Sequence, residues 1–193
     1  MIGKMEETAK MIELYKNELY RWNKWKNLTH VPQDETAWKK IIEESKRASS
    51  MINNSDTILD IGTGAGIPGI ILSIYGNTDT ILCEKDFKKC IFLHEIKVRL
   101  GLKYMILNCD IYKVDRKALQ GEIVAVSKAF ARLKTLIEIM DKLQLKRGIY
   151  LKGEKYRDEI QEAESEYRFK YNVCSSITGD KGVIIEISEV ERQ

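Results

Sequence analysis

The sequence predicts an α/β fold built on a mostly parallel sheet with helices on both faces. From Thr57 onward, short apolar runs of strand character alternate with stretches of helical periodicity, a pattern typical of parallel sheets. A glycine-rich turn follows the first predicted strand. The last two strand-like segments, Tyr167–Ser175 and Val183–Ser188, have no helix between them. We therefore expect them to form an antiparallel hairpin across Thr178–Gly182 at the C-terminal end.

Two helices are predicted before the first strand. Apolar residues recur at helical spacing from Lys4 to Trp25, which indicates an amphipathic helix. Asp34 can cap a second helix that buries Trp38 and Ile41. We therefore divide the chain into an N-terminal helical segment, residues 1–52, and a sheet domain, residues 53–193.

The sheet domain is predicted to contain five strands before the hairpin: Thr57–Ile61, Thr80–Glu84, Tyr104–Asn108, Ile123–Ser127 and Gly148–Leu151. The helices between and after them are expected to begin near Pro68, Asp86, Arg132 and Glu154. Glycine is favoured just beyond a helix end, so two of these helices should end before Gly76 and Gly101.

Composition excludes several classes of protein. No apolar run approaches the roughly 20 residues of a membrane span, and the first ten residues lack the apolar core of a signal peptide. The four cysteines show no C-x-x-C spacing and there are two histidines, so we expect reduced thiols and no metal site. No exposed heptad pattern calls for a dimer. The sequence thus predicts a cytoplasmic monomer that uses neither membrane nor metal.

The most informative stretch is LDIGTGAGIPG, Leu59–Gly69, which reads as a strand end, a glycine turn and a helix start. Glycines at Gly62, Gly64 and Gly66 permit a tight turn with positive φ and let backbone N–H groups approach a ligand closely. Such a turn at the end of the first parallel strand indicates a nucleotide-type cofactor site.

Two cofactor classes could use this turn. The dinucleotide pattern G-x-G-x-x-G occurs as Gly64, Gly66 and Gly69, and it would suit an NAD-dependent oxidoreductase. The strand end instead makes Gly62 the first glycine, two residues after Asp60. A carboxylate there suits the cationic amino group of S-adenosylmethionine and would repel a pyrophosphate. The spacing therefore favours a methyltransferase.

Further candidates lie at the carboxyl ends of the other strands, where parallel sheets bind ligands. Glu84 ends the second strand about 20 residues beyond the turn, the position of a ribose-binding carboxylate. Segments after the third, fourth and fifth strands complete the set: Cys109–Tyr112, Lys128–Ala131 and Lys152–Gly153.

A basic and aromatic segment, Arg21–His30, could bind nucleic acid. It has four basic residues and two tryptophans and no acidic residue, a composition that suits base stacking and phosphate contacts. The alternative is that Trp22 packs on the core while Lys24 and Lys26 are solvated.

LDIGTGAGIPG, together with WNKWKNLT near the N-terminus, VSKAFARL at the fourth strand and LKG at the fifth, resembles the bacterial RsmG (GidB) family over roughly residues 10 to 190. The resemblance implies a class I S-adenosylmethionine-dependent methyltransferase fold, Rossmann-like, with a seven-stranded sheet that is parallel except for one strand near the C-terminus. Residues 53–193 would then be the methyltransferase domain. The implied reaction is methylation of N7 of one guanine in the decoding-region loop of 16S ribosomal RNA.

The resemblance also implies site residues. Cofactor contacts would fall on Gly62 and Ile67 in the turn, on Ile111 and Tyr112 beside the adenine, and on Lys128. The chain departs from the family pattern at several of these positions. The family usually has Arg at 128 and a small residue followed by Glu at 111 and 112, and its H-x-x-D-S motif is replaced around Lys40 and Glu43.

In this interpretation the cofactor would be held by Asp60, Gly62, Gly64, Gly66, Ile67, Glu84, Ile111, Tyr112 and Lys128. Residues expected to guide RNA phosphate or base are Lys128, Arg132 and Lys152, and the expected partner is 16S ribosomal RNA or the small ribosomal subunit. The altered positions leave a catalytically silent RNA-binding protein of the same fold as a rival, beside the oxidoreductase and a small-molecule methyltransferase.

Overall fold

The computed structural model describes residues 2–76, 78–175 and 182–193, so most of the predicted hairpin turn, Thr178–Lys181, lies outside the described residues. In chain order the elements are α1 (Ile2–Lys26), α2 (Glu35–Ser50), β1 (Asp56–Ile61), α3 (Gly69–Tyr75), β2 (Asp79–Cys83), α4 (Phe87–Leu100), β3 (Met105–Leu107), β4 (Glu122–Lys128), α5 (Leu133–Lys142), β5 (Arg147–Lys152), α6 (Tyr156–Glu164), β6 (Tyr167–Ser175) and β7 (Val183–Arg192). Short 3-10 turns, Ile111–Lys113 and Arg116–Ala118, lie between β3 and β4.

Within the described residues, seven strands form one sheet in the order β3-β2-β1-β4-β5-β7-β6. Strands β1 to β5 are parallel, and β7 runs antiparallel to both β5 and β6. Alternate residues of β1 enter different clusters: Leu59 and Ile61 pack with residues of α5 and α6, whereas Ile58 packs with Leu72 of α3. The predicted fold class, with helices on both faces and a C-terminal antiparallel pair, is confirmed.

The third strand is shorter than the sequence indicates. It includes Met105–Leu107 only, because the residues at both ends of the predicted span bond elsewhere. The buried Tyr104 hydroxyl donates to the Leu93 carbonyl at 2.6 Å. The Asn108 side-chain amide donates to the Glu84 carbonyl at 3.0 Å. At the edge of the sheet, β3 has a strand on one side only, so such side-chain bonds decide where it begins and ends.

The N-terminal helices pack on the same side of the molecule as α3 and α4. Tyr15 of α1 and Trp38 of α2 are buried in one cluster with Phe92 of α4. Asp34 caps α2 as predicted, since its carboxylate accepts from the backbone N–H of Ala37 at 2.8 Å. Among the described helices, none has the length and apolar character needed to cross a membrane.

Candidate active site

The turn between β1 and α3 requires its glycines. Backbone φ is +64° at Gly62, +61° at Gly64 and +97° at Gly66, a region that is unfavourable for residues with a Cβ. A Cβ on Gly66 would lie 2.3 Å from Cδ1 of Ile70, so this glycine also lets the turn pack on α3. A Cβ on Gly62 would lie 2.0 Å from Cδ2 of Phe130, which places that ring directly over the turn.

Asp60 is turned into the glycine turn rather than outward. Its side chain is buried, and Oδ2 accepts from the Thr63 hydroxyl at 2.6 Å and from the Gly69 N–H at 2.8 Å. Burial raises the pKa of Asp60 to about 7, although both hydrogen bonds act in the opposite direction. Among the described residues, Oδ1 has no hydrogen-bond partner. The position of this carboxylate explains how the turn is fixed to the end of β1.

Glu84 joins the two loops that follow β1 and β2. Its Oε2 accepts from the Gly64 N–H at 2.9 Å, and its Oε1 accepts from the Asp86 N–H at 2.8 Å. On the other side of the turn, the buried Tyr15 hydroxyl donates to the Ala65 carbonyl at 2.7 Å. The glycine turn is thus held from the sheet and from α1.

A cavity of about 400 Å³ opens above this turn at the carboxyl ends of β1, β2 and β4. Its lining residues are Gly62, Gly64, Cys83, Glu84, Lys85, Lys89, Cys109, Asp110, Ile111, Tyr112, Ala129 and Phe130. Burial raises the pKa of Cys83, which keeps this thiol protonated. The volume lies within the range of cofactor sites, and the carboxylate and bare glycine backbone fit the ribose and methionine parts of S-adenosylmethionine.

The structure brings together some of the predicted cofactor residues and not others. Those that line the cavity are Gly62, Gly64, Glu84, Ile111 and Tyr112. Asp60, Gly66 and Ile67 are outside this lining, and Ile67 is buried in the cluster with α1 and α2. Lys128 lines a neighbouring cavity instead.

The second cavity, about 650 Å³, lies at the ends of β4 and β5 and is bounded by α2. Its lining residues are Lys40, Glu44, Lys128, Ala129, Phe130, Ala131, Arg132, Leu151, Lys152, Gly153, Glu154, Glu159 and Gly182. It shares Ala129 and Phe130 with the first cavity. Ala129 has a φ of +55°, an uncommon angle for a residue with a Cβ and one that often marks a functional site. The two cavities are therefore adjacent and share one aromatic side chain, that of Phe130, in their linings.

The three predicted positioning cations line this second cavity, and each has an acidic neighbour. The side chain of Lys152 is 8% exposed, and its Nζ lies 2.6 Å from Glu159 and donates to the Ala131 carbonyl at 2.8 Å. Arg132 pairs with Glu162. Lys128 Nζ lies 3.9 Å from Oε2 of Glu44, a distance at which charges attract without a direct hydrogen bond.

Glu44 is a cavity residue that the sequence interpretation missed. It lies on the buried face of α2 with Trp38, Ile41 and Ala48, and it is 7% exposed. Charged residues are almost never buried without a partner. A glutamate at a position of the apolar face of an amphipathic helix could therefore have been recognised from the sequence as a candidate site residue. Phe130 fell inside the predicted segment Lys128–Ala131, but its position over Gly62 depends on the backbone angle at residue 129.

In the basic and aromatic segment, the two tryptophans differ. Trp22 packs edge-on against Phe92, with ring centroids 5.8 Å apart. Trp25 is 83% exposed beside the exposed Lys24 and Lys26. Both interpretations of this segment therefore describe part of it: one tryptophan belongs to the core, and the other is open to a partner.

Solved structures share this architecture. TYW2 from M. jannaschii, determined in complex with AdoMet, aligns over 80% of this chain and 77% of its own with a TM-score of 0.58 and 17% identity. Ribosomal protein L11 methylase from Lactobacillus delbrueckii subsp. bulgaricus aligns over 82% and 80% with a TM-score of 0.58 and 16% identity. The protein therefore has the class I methyltransferase fold, with a cavity at the carboxyl ends of its parallel strands.

Sequence relatives give the family. A family model for GidB, described as rRNA small subunit methyltransferase G, matches residues 8–186. The Ribosomal RNA small subunit methyltransferase G of Rickettsia bellii is 32% identical over 194 residues, covering 100% of this chain and 99% of the relative. The Rickettsia prowazekii protein of the same name is 32% identical, with 96% of each chain covered. This chain belongs to the rRNA small subunit methyltransferase G family, which confirms the predicted class and cofactor and decides against the NAD-dependent oxidoreductase.

Proposed function

We propose that this protein transfers a methyl group from S-adenosylmethionine to N7 of a guanine in the decoding-region loop of 16S ribosomal RNA. The observation that carries the proposal is the meeting of the two cavities at Ala129 and Phe130. Since parallel sheets bind ligands at the carboxyl ends of their strands, a cofactor in the first cavity and a base in the second would lie side by side.

The chemistry of N7 suits the residues of the second cavity. N7 of neutral guanine has an exposed lone pair, so its methylation requires no proton removal. Among the described lining residues, the ionisable ones are lysine, arginine and glutamate, and neither histidine nor cysteine occurs. S-adenosylmethionine supplies an electrophilic methyl group on a sulfonium. The protein has to hold two reactants close and aligned, an effect worth up to about 7 to 11 kcal/mol in favourable cases.

Within this proposal the predicted residues have separate roles. Glu84 receives the ribose, Gly62 and Gly64 let the methionine part approach the backbone, and Ile111 with Tyr112 covers the adenine. The remaining predicted cofactor residues, Asp60, Gly66 and Ile67, act through the shape of the turn, since they lie outside the cavity lining. Lys128 guides the base or its phosphate, and Arg132 and Lys152, which already pair with α6, hold the wall of the second cavity in place.

A basic surface would give general attraction to RNA. Lys24, Trp25 and Lys26 are exposed at the end of α1. Lys85 and Lys88 are exposed around the start of α4, beside the first cavity. Lysines near phosphates release counterions, so this attraction should weaken as salt rises. Trp25 adds an aromatic face on which an unpaired base can stack.

Methyl transfer with purified components tests the proposal. The protein is incubated with labelled S-adenosylmethionine and small ribosomal subunits that lack the N7 methyl group, and the product nucleoside is identified by mass spectrometry. We expect N7-methylguanosine at one position. Label on another nucleoside, or none, would contradict the substrate.

A matched variant links the transfer to the first cavity. Glu84→Gln should weaken S-adenosylmethionine binding by about 10- to 100-fold in calorimetry, because one charge-assisted hydrogen bond to the loops or ribose is lost. Glu43→Gln makes the same chemical change on α2, outside both cavity linings, and should leave binding unchanged.

A further inference from the structure

The second cavity has a buried glutamate, Glu44, in its lining beside lysine and arginine side chains. The residue is 7% exposed, and its carboxylate forms part of the cavity wall. Around it, the buried face of α2 is formed by the apolar residues Trp38, Ile41 and Ala48 and by Ser45, whose hydroxyl donates to the Ile41 carbonyl at 2.7 Å. A carboxylate at such a position loses its water and needs compensation from the protein or from a ligand.

Among the described residues, two lysine ammonium groups lie near the Glu44 carboxylate and offset part of the cost of burying it. Lys40 Nζ lies 4.0 Å from Glu44 Oε1, and Lys128 Nζ lies 3.9 Å from Oε2. At these separations the two ammonium groups attract the carboxylate, but both distances exceed the length of a hydrogen bond. Oε2 is buried and, within the described part of the chain, accepts no hydrogen bond. A carboxylate with one unsatisfied oxygen, beside an ammonium group, is therefore part of the cavity lining.

This arrangement matches one edge of one base. The Watson–Crick edge of guanine presents two donors, the N2 amino group and N1–H, next to one acceptor, O6. Adenine presents an acceptor, N1, beside a donor, and cytosine likewise has an acceptor, N3, at the centre of its edge. Proteins that take a base out of its stack read it by hydrogen bonds to this edge.

We propose that Glu44 selects guanine as the base to be methylated: its carboxylate accepts from N1–H and the N2 amino group, while Lys128 donates to O6. The inference rests on the proposed function and deepens it. A base bound by this edge keeps N7, on the far side of O6, free to face the rim at Ala129 and Phe130. Adenine or cytosine would set a ring nitrogen lone pair against the carboxylate, which a buried polar site rejects strongly.

The test compares guanosine with inosine, which lacks the N2 amino group. Small subunits are reconstituted with ligated 16S RNA that has either nucleoside at the target position, and kcat/KM for methyl transfer is measured for each. With the wild-type protein we expect inosine to react about 10-fold more slowly or worse, because one carboxylate oxygen then has no donor. Glu44→Gln should slow guanosine by about 30-fold or more and reduce the guanosine-to-inosine ratio below about 3.

The controls separate selection from folding and from cofactor binding. Glu43→Gln, one residue earlier on α2, should keep the wild-type ratio. S-adenosylmethionine affinity of Glu44→Gln should equal that of wild type, since Glu44 lines only the second cavity. If Glu44 had a purely structural role, its substitution would slow both substrates equally and leave the ratio unchanged, which would overturn the inference.

A second measurement needs no variant. If Glu44→Gln fails to fold, the wild-type ratio alone decides: equal rates on guanosine and inosine contradict selection by the carboxylate. Absence of transfer to guanosine-containing subunits by the wild-type protein is a different result, because it removes the proposed function on which the inference rests.

Discussion

The buried carboxyl of Asp60 should make the stability of this protein depend on pH. Burial raises the pKa of this group from 3.8 to about 7 in the folded state. Each unit of difference in pKa between the folded and unfolded states is worth about 1.4 kcal/mol, so ionised Asp60 costs the folded protein about 4 kcal/mol. The native state binds the proton more tightly. This contribution to stability is therefore full below about pH 4 and is lost as pH rises through about 7.

Asp60→Asn isolates the contribution, since the amide oxygen can still accept from Thr63 and Gly69 but carries no charge. The difference in free energy of unfolding between the variant and wild type should rise by about 2 to 3 kcal/mol in favour of the variant from about pH 5 to about pH 8. Urea unfolding followed by circular dichroism at several pH values measures this difference. Asp79→Asn, at an exposed position at the start of β2, makes the same chemical change without burial and is the control. A difference for Asp60→Asn that does not change with pH would show that Asp60 titrates alike in the folded and unfolded states.

Further predictions concern the glycine turn and the RNA surface. Gly62→Ala and Gly64→Ala both place a Cβ at positive φ, at a cost of about 1 to 2 kcal/mol each, but only the first Cβ meets a neighbouring side chain within 3 Å. Calorimetry should therefore show the weaker S-adenosylmethionine binding for Gly62→Ala, and equal losses would contradict this. Tyr15→Phe leaves the Ala65 carbonyl unpaired and should lower the free energy of unfolding in urea by about 1 to 3 kcal/mol; an unchanged midpoint would show the bond to be unimportant. Trp25→Ala should leave the melting temperature unchanged and reduce affinity for small-subunit RNA by about 5- to 100-fold at fixed salt, whereas unaltered affinity would argue against stacking.

Local pattern was sufficient for most of the architecture. Apolar runs bounded by glycine and polar residues located β1, β2, β4 and β5, because a central parallel strand is buried on both faces and reads as a continuous apolar run. The missing helix between the last two strands predicted the antiparallel pair that the sheet contains. The edge strand β3 was overestimated, since side-chain hydrogen bonds of Tyr104 and Asn108 limit it.

The site was predictable where chain order alone determines position. Glu84 and the residues after β3 could be placed from strand ends. The inward orientation of Asp60 could not, because it depends on the loop's own N–H groups closing back onto the carboxylate. Glu44 meets Lys128 across 84 positions of sequence, a contact that only the packing of α2 against the end of β4 creates. Long-range contacts of this kind leave no local periodicity in the sequence.

Methylation of N7 of a guanine in 16S ribosomal RNA can be measured in cells. N7-methylguanosine in 16S RNA is mapped in cells that have this gene, in cells that lack it, and in cells with the gene restored. We expect one N7-methylguanosine to disappear from the decoding-region loop on deletion and to return on restoration. An unchanged modification pattern would contradict the substrate.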